Sequence, residues 1–323
     1  MKKRVLAGMV VAAAAGAMLV PIGSGSAESK PEEVVPTMDL SAFPATRPDA
    51  PLRMLFIHHS CGGQLLAAPG ASKERDDCIY VSHPNGGGLK SLLEEQGYEV
   101  HEASYGSDIG KDTDMFHWLP KFTGKMDKIL RVAHQDELYP DDRKNQIIAF
   151  KSCFPNNEFT GEGAAPGNPA GPDLTVWNAK ATLTAVLPEL EKHPETLFVY
   201  VTAPPNAPKA PKVRLWKWIA RRVLGRGGAD ADRVAHQGEL AREFNNWAVS
   251  PEGWLKDYKQ KNVVVFDYYG ILTDRGRSNL SAYGSNDGTD SHPTSEGNRR
   301  AAAEFVPMLN RAVRRLGRSP LTQ

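Results

Sequence analysis

The stretch Arg53–Gly63, RMLFIHHSCGG, decides how the rest of the chain is read. Met54–Ile57 is a short apolar run of strand-forming residues, and Ser60, Cys61, Gly62 and Gly63 end it at once. A strand apolar on both faces belongs inside a parallel sheet. The residues just after such a strand lie at the carboxyl edge, where open α/β folds bind ligands. A helix starting near Gly62–Gly63 would set Ser60 beside free N–H groups at the positive end of a helix dipole. A nucleophilic hydroxyl needs that placement: exposed, on a rigid element, with donors nearby for an oxyanion. A serine that merely caps a helix sits in the same place. Distant parts of the chain must decide between the two.

Working outward, further strands are expected at Tyr98–Ala103, Gln146–Phe150, Thr196–Thr202 and Asn262–Asp267. Helical spacing or capping signals mark Leu89–Gln96, Lys125–His134, Leu174–Lys192, Ala231–Val249 and Ser295–Leu316. Asp76–Gly88 reads as a glycine-rich loop, Ser104–Pro120 as a polar loop and Lys151–Pro172 as irregular. Strands and helices alternate, and apart from the alternating Tyr98–Ala103 the strands are apolar on both faces. That pattern predicts a three-layer α/β/α sandwich around a mainly parallel five-stranded sheet, built from one domain over residues 52–318. The strand ends carry the chemically interesting residues, and this architecture gathers them on one edge.

The N-terminus reads as a processing segment. Lys2, Lys3 and Arg4 precede an apolar run from Val5 to Val20, and Gly25-Ser26-Ala27 offers a cleavage site, so residues 1–27 are expected to be a signal peptide. The mature chain would then be secreted or periplasmic. Its formal charge of +1 would fall to about −2 on losing those three cations, which gives no reason to expect nucleic acid as a partner. Residues 28–51, rich in proline and acid, read as a linker or an extended segment along the surface. Cys61, Cys78 and Cys153 would meet an oxidising compartment, with Cys61–Cys78 and Cys61–Cys153 both open as pairings.

Four separated blocks together form a pattern. They are Ser60 after the first strand, the loop Tyr105-Gly106-Ser107-Asp108-Ile109-Gly110 after the second, Lys151-Ser152-Cys153-Phe154-Pro155-Asn156-Asn157 after the third, and Asp287-Gly288-Thr289-Asp290-Ser291-His292-Pro293 before the last helix. In order and spacing the chain resembles the SGNH hydrolase (GDSL-like esterase) superfamily, as a divergent member. The resemblance implies a flavodoxin-like sheet, no cofactor and no metal. It implies Ser60 as nucleophile and His292 as base. Gly110 (Gly106 second) and Asn156 (Asn157 second) would serve as oxyanion donors. The family aspartate lies three residues before the histidine, where this chain has Thr289; Asp290, two before it, is expected to orient the ring instead, with Asp287 second. The family's Gly-Asp before the serine is replaced by His58-His59. The implied substrate is an acylated carbohydrate, a lipid or another small-molecule ester.

Other readings exist for the same residues. The fold could serve as a non-catalytic module binding a cell-envelope glycan. His58, His59 and His292 could hold a metal, although adjacent histidines on a strand point to opposite faces. Cys61 could be a nucleophile if its thiol were unpaired and acidic. Finally, the insertion over residues 208–228 contains a basic amphipathic stretch at 213–224. Arg214, Lys217, Arg221 and Arg222 share one side of it, so it reads as a docked helix, a lid or a weak membrane or envelope contact.

Overall fold

The computed structural model describes residues 37–208 and 229–317. The expected signal peptide and nearly all of the 208–228 insertion therefore lie outside the described residues. Five strands form the central sheet: β1 (Leu52–Ile57), β2 (Tyr98–Ala103), β3 (Ile147–Lys151), β4 (Leu197–Val201) and β5 (Val263–Phe266). All neighbours are parallel, and the spatial order is β2-β1-β3-β4-β5. That is the flavodoxin-like order, with its topological switch between β1 and β3.

The apolar runs are strands because both of their faces are covered. Leu55, Ile57, Ile148, Phe150, Phe198 and Tyr200 face one core with α3 (Trp118–Arg131), α4 (Val176–Glu191) and α5 (Ala229–Val249). Met54, Phe56, Ile147, Ala149, Leu197 and Val199 face the other. Packed there are α1 (Ser60–Leu66), α2 (Leu89–Glu95) and α6 (Ser295–Arg315). Side chains alternate with a period of two along each strand, so a strand buried on both sides shows no polar alternation. The segment from Met38 to Asp49 lies along α6, where Arg311 donates to the Leu40, Ser41 and Phe43 carbonyls and Arg314 pairs with Asp49.

Two local expectations are corrected. Asp76–Gly88 is not simply a loop: Lys73–Asp76 and Ile79–His83 form an antiparallel hairpin. Its turn passes through Cys78 at φ 65°, a left-handed position without the glycine that usually signals one. The third helix begins at Trp118 rather than Lys125, with Pro120 in its first turn, where a missing N–H costs nothing. It also ends earlier, because Val132–His134 leaves it as a short strand paired with Glu137–Leu138.

The register levels the carboxyl ends of the strands. Ile57 lies beside Ala103 on one side and Phe150 on the other, and Lys151 beside Val201. His58–Ser60, Ser104–Gly110 and Ser152–Asn157 therefore leave the sheet at one edge, across the switch point.

Candidate active site

Ser60 opens α1 directly after β1. His59 is the N-cap, its backbone is extended, and its carbonyl accepts from the Gly62 N–H at 2.8 Å and the Gly63 N–H at 3.1 Å. The two glycines are required by close packing. A Cβ on Gly63 would stand 1.8 Å from the Cys78 carbonyl oxygen, and one on Gly62 would stand 2.4 Å from His58 Cβ. The turn after β1 is thus pressed between the hairpin and its own strand, which holds Ser60 at the sheet edge.

His292 reaches Ser60 from the segment before α6. Its Nε2 lies 3.0 Å from Ser60 Oγ, and its Nδ1 lies 2.8 Å from Asp290 Oδ1. The contacts are mutually consistent when Nδ1 carries the proton: the ring donates to the carboxylate and accepts from the hydroxyl. Asp290 Oδ1 also accepts from the His292 backbone N–H at 3.0 Å. The spacing of two works because Asp290–Pro293 is extended, bridged to Ser285 and Gly284, so residues 290 and 292 share a face. Ser291 points the other way, and its hydroxyl accepts from the Ala207 N–H at 3.0 Å. Partial burial raises the Asp290 carboxyl, but the hydrogen bonds from the His292 backbone and ring outweigh it and hold the group below its ordinary value. Phe154, from the loop after β3, meets the His292 ring edge-on at 5.2 Å. Asp287 is exposed in the left-handed turn that precedes this strand, at φ 58°.

Gly110 and Asn156 both lie in the two loops that flank Ser60, and both are buried. The Gly110 N–H donates to Ser107 Oγ at 2.8 Å, and its carbonyl accepts from His59 Nε2 at 2.8 Å. A Cβ there would stand 2.1 Å from the Ser104 carbonyl, so only glycine fits. Asn156 Oδ1 accepts from the Met115 N–H at 2.6 Å, while Nδ2 donates to Asp114 Oδ1 at 3.0 Å and to the Cys153 carbonyl at 3.3 Å. In this resting arrangement both groups have acceptors of their own. Gly106 is exposed, and Asn157 spends its amide on the Ala203 and Pro204 carbonyls and on Asn245.

The histidine pair is divided, as its position on a strand end requires. His58 turns inward and is fully buried, with Nε2 3.1 Å from Glu102 and Nδ1 3.0 Å from the His59 carbonyl. Glu102 also takes Lys90 at 2.9 Å. Burial raises its carboxyl, but the two partners together hold it below its ordinary value. His59 turns toward the loop after β2. There it stacks on Tyr105 with ring centroids 3.5 Å apart, and burial pushes its pKa down to about 4. Among the described residues, no group of three or more His, Cys, Asp or Glu side chains is placed to share a metal ion.

The sequence pattern gave no role to Tyr105, Lys151 and Phe154, although they lie in its blocks, and passed over Glu102. Glu102 left a signal: it falls on the same strand face as Tyr98 and Val100, both buried, and an acid on an apolar face demands partners. Lys151 gave a similar one, a lysine ending an apolar strand, and it is fully buried.

No family model matches this sequence, and no curated protein matches it. Among solved structures, a carbohydrate esterase family 2 enzyme with a carbohydrate binding domain, from Corynascus thermopiles (Myceliophthora fergusii), is similar at 13% identity. The match covers 84% of this chain and 68% of that chain, with a TM-score of 0.40. At that score the likeness has no bearing on activity, and the chemistry rests on the geometry of the side chains themselves.

Proposed function

We propose that the protein is an exported SGNH-type serine hydrolase, an esterase or deacylase that removes an acyl group from a carbohydrate or a lipid. The observation that supports this reading is the ordered chain Ser60–His292–Asp290: a 3.0 Å link joins Ser60 to His292, 232 residues away in sequence, and a 2.8 Å link joins His292 to Asp290. In the reaction, His292 Nε2 takes the Ser60 proton as Oγ attacks the ester carbonyl. Asp290 holds the ring in the required tautomer and stabilises the imidazolium. His292 then returns the proton to the leaving alcohol, and water releases the acyl group by the same route.

The oxyanion donors are the Ser60 backbone N–H, in the first turn of α1 where N–H groups have no helical acceptor, and the Asn156 amide. Asn156 serves by exchanging the exposed Asp114 carboxylate for the substrate oxygen, and Gly110 serves if its N–H leaves Ser107 Oγ. Each such donor is worth about 3–4 kcal/mol of transition-state stabilisation. The occupied state of both groups favours one rival, a non-catalytic glycan-binding module on the same fold. Hydrolysis of an aryl acetate by the wild type, lost in Ser60→Ala, separates the two: absence of turnover with intact glycan binding would support the rival.

A further inference from the structure

Behind Ser60 lie two thiols that ester hydrolysis does not use. Cys61 follows Ser60 in α1, and Cys153 stands at the head of the turn after β3. Their sulfurs are 3.4 Å apart, and Cys153 Sγ is also 3.7 Å from Ser60 Oγ. Cys61 is fully buried and Cys153 is 7% exposed. Cys78, the alternative partner, instead accepts from the Tyr80 hydroxyl at 3.3 Å. The sequence allowed two pairings, and this geometry favours one of them.

The surroundings suit thiol chemistry. Lys151 is fully buried beside the pair, and its ammonium donates to the Ser152 carbonyl at 2.9 Å with no carboxylate paired to it among the described residues. A buried cation favours an anion at its neighbour. The Cys153 thiol is held well below its usual range, first by its hydrogen bond with Cys61, with Lys151 adding to it against the cost of burial. Burial pushes the Cys61 thiol well above its usual range. Cys153, the member of the pair with some exposure, is therefore the one an external disulfide meets first, and the fully buried Cys61 is the resolving thiol.

We propose that Cys61 and Cys153 are a redox pair that closes to a disulfide, stapling the nucleophile turn to the loop after β3 and setting the reactivity of Ser60. The oxidant is a small-molecule disulfide. Cys153 Sγ attacks one of its sulfurs, forming a mixed disulfide and releasing one thiolate. Cys61 loses its proton to that thiolate and attacks Cys153 Sγ, releasing the second. Two protein thiols are oxidised and one disulfide is reduced to two thiols; a dithiol reductant reverses the exchange. In the open form Cys153 Sγ, 3.7 Å from Ser60 Oγ, competes with His292 for the hydroxyl's hydrogen bond. Closure neutralises that sulfur and leaves His292 as the acceptor, so Ser60 is more reactive when the pair is closed. This last step rests on the serine-hydrolase reading, whereas closure itself does not.

The test uses the full chain, equilibrated natively with oxidised glutathione or with dithiothreitol, alkylated with iodoacetamide and mapped by mass without reduction. The expected result is a Cys61–Cys153 cross-linked peptide with Cys78 alkylated after oxidation, and all three cysteines alkylated after reduction. Three alkylated cysteines after oxidation, or a cross-link through Cys78, would overturn the staple. In parallel, fluorophosphonate labelling of Ser60 is expected to run on the order of tenfold faster in the closed form. That dependence is expected to vanish in Cys61→Ser and in Cys153→Ser. Equal rates in the two wild-type states would overturn the control of Ser60. Labelling in neither state would overturn that control together with the proposed function, while the mass map would still decide the staple alone.

Discussion

Asp290 is the residue at which the sequence pattern and the observed geometry part most usefully. The family spacing points to position 289, a threonine here, and the acid that meets His292 stands two before it on an extended strand. A spacing of two places both side chains on one face, which a loop reading of the segment could not show. If Asp290 orients the imidazole, Asp290→Asn should lower kcat by roughly 10²- to 10⁴-fold with little change in KM. Asp287→Asn should stay within about twofold, since asparagine tolerates the left-handed backbone and Asp287 is exposed. Steady-state kinetics on an aryl ester checks both, and equal losses at 287 and 290 would contradict the assignment. His59 carries a second prediction. Its pKa falls from an ordinary 6.5 to about 4 on folding, so between those values the unfolded chain binds a proton that the folded chain refuses. Stability should therefore fall as pH drops through that window, by up to about 3 kcal/mol near pH 4 from this group alone. His59→Gln, which keeps a donor for the Gly110 carbonyl, should flatten that slope in urea titrations run from pH 7 to pH 4; an unchanged slope would remove His59 as its source.

At the scale of elements, four of the central strands were readable because each is covered on both faces and leaves an apolar run, and the edge strand β2 because its apolar and polar residues alternate. The hairpin over Lys73–His83 was not. Its first strand is wholly exposed and charged, and its turn residue, Cys78, is not a turn former. Yet the hairpin matters to the site, because its turn carbonyl at Cys78 packs on Gly63. Gly63→Ala should push α1 off the hairpin, costing about 1–3 kcal/mol and slowing reaction at Ser60 more than the stability loss accounts for. Thermal unfolding and Ser60 labelling measured together would show this; unchanged labelling in the folded variant would mean that the hairpin does not position the nucleophile. The loop after β2 is held comparably. Lys121 on α3 is buried and donates to the Ile109 and Asp112 carbonyls, which bracket Gly110. Lys121 fell outside every element expected from the sequence, because the helix was expected to begin at Lys125, and its acceptors are backbone groups that no side-chain pattern marks.

For the molecule as a whole, the parallel sheet in β2-β1-β3-β4-β5 order explains why the segments that carry Ser60, Gly110 and Asn156 leave the sheet at one edge. Strand ends level in register deliver three loops to one edge, and the strand before α6 brings His292 to Ser60 and Phe154. No described helix is long and apolar enough to cross a membrane. The core that fixes this edge is aromatic: Phe150 packs against Trp118, Phe122 and Tyr200 directly beneath the loop after β3. Phe150→Ala should cost about 3–5 kcal/mol in denaturant unfolding. The proposal that the chain is exported predicts a mature N-terminus near Glu28, and an intact mass retaining Met1 in material collected outside the cell would contradict it. The most direct test of the central claim is active-site labelling. A fluorophosphonate probe followed by peptide mapping should place a single adduct on Ser60, and His292→Ala should abolish it while circular dichroism stays native. A folded Ser60→Ala protein that hydrolyses aryl acetate at the wild-type rate would contradict the account.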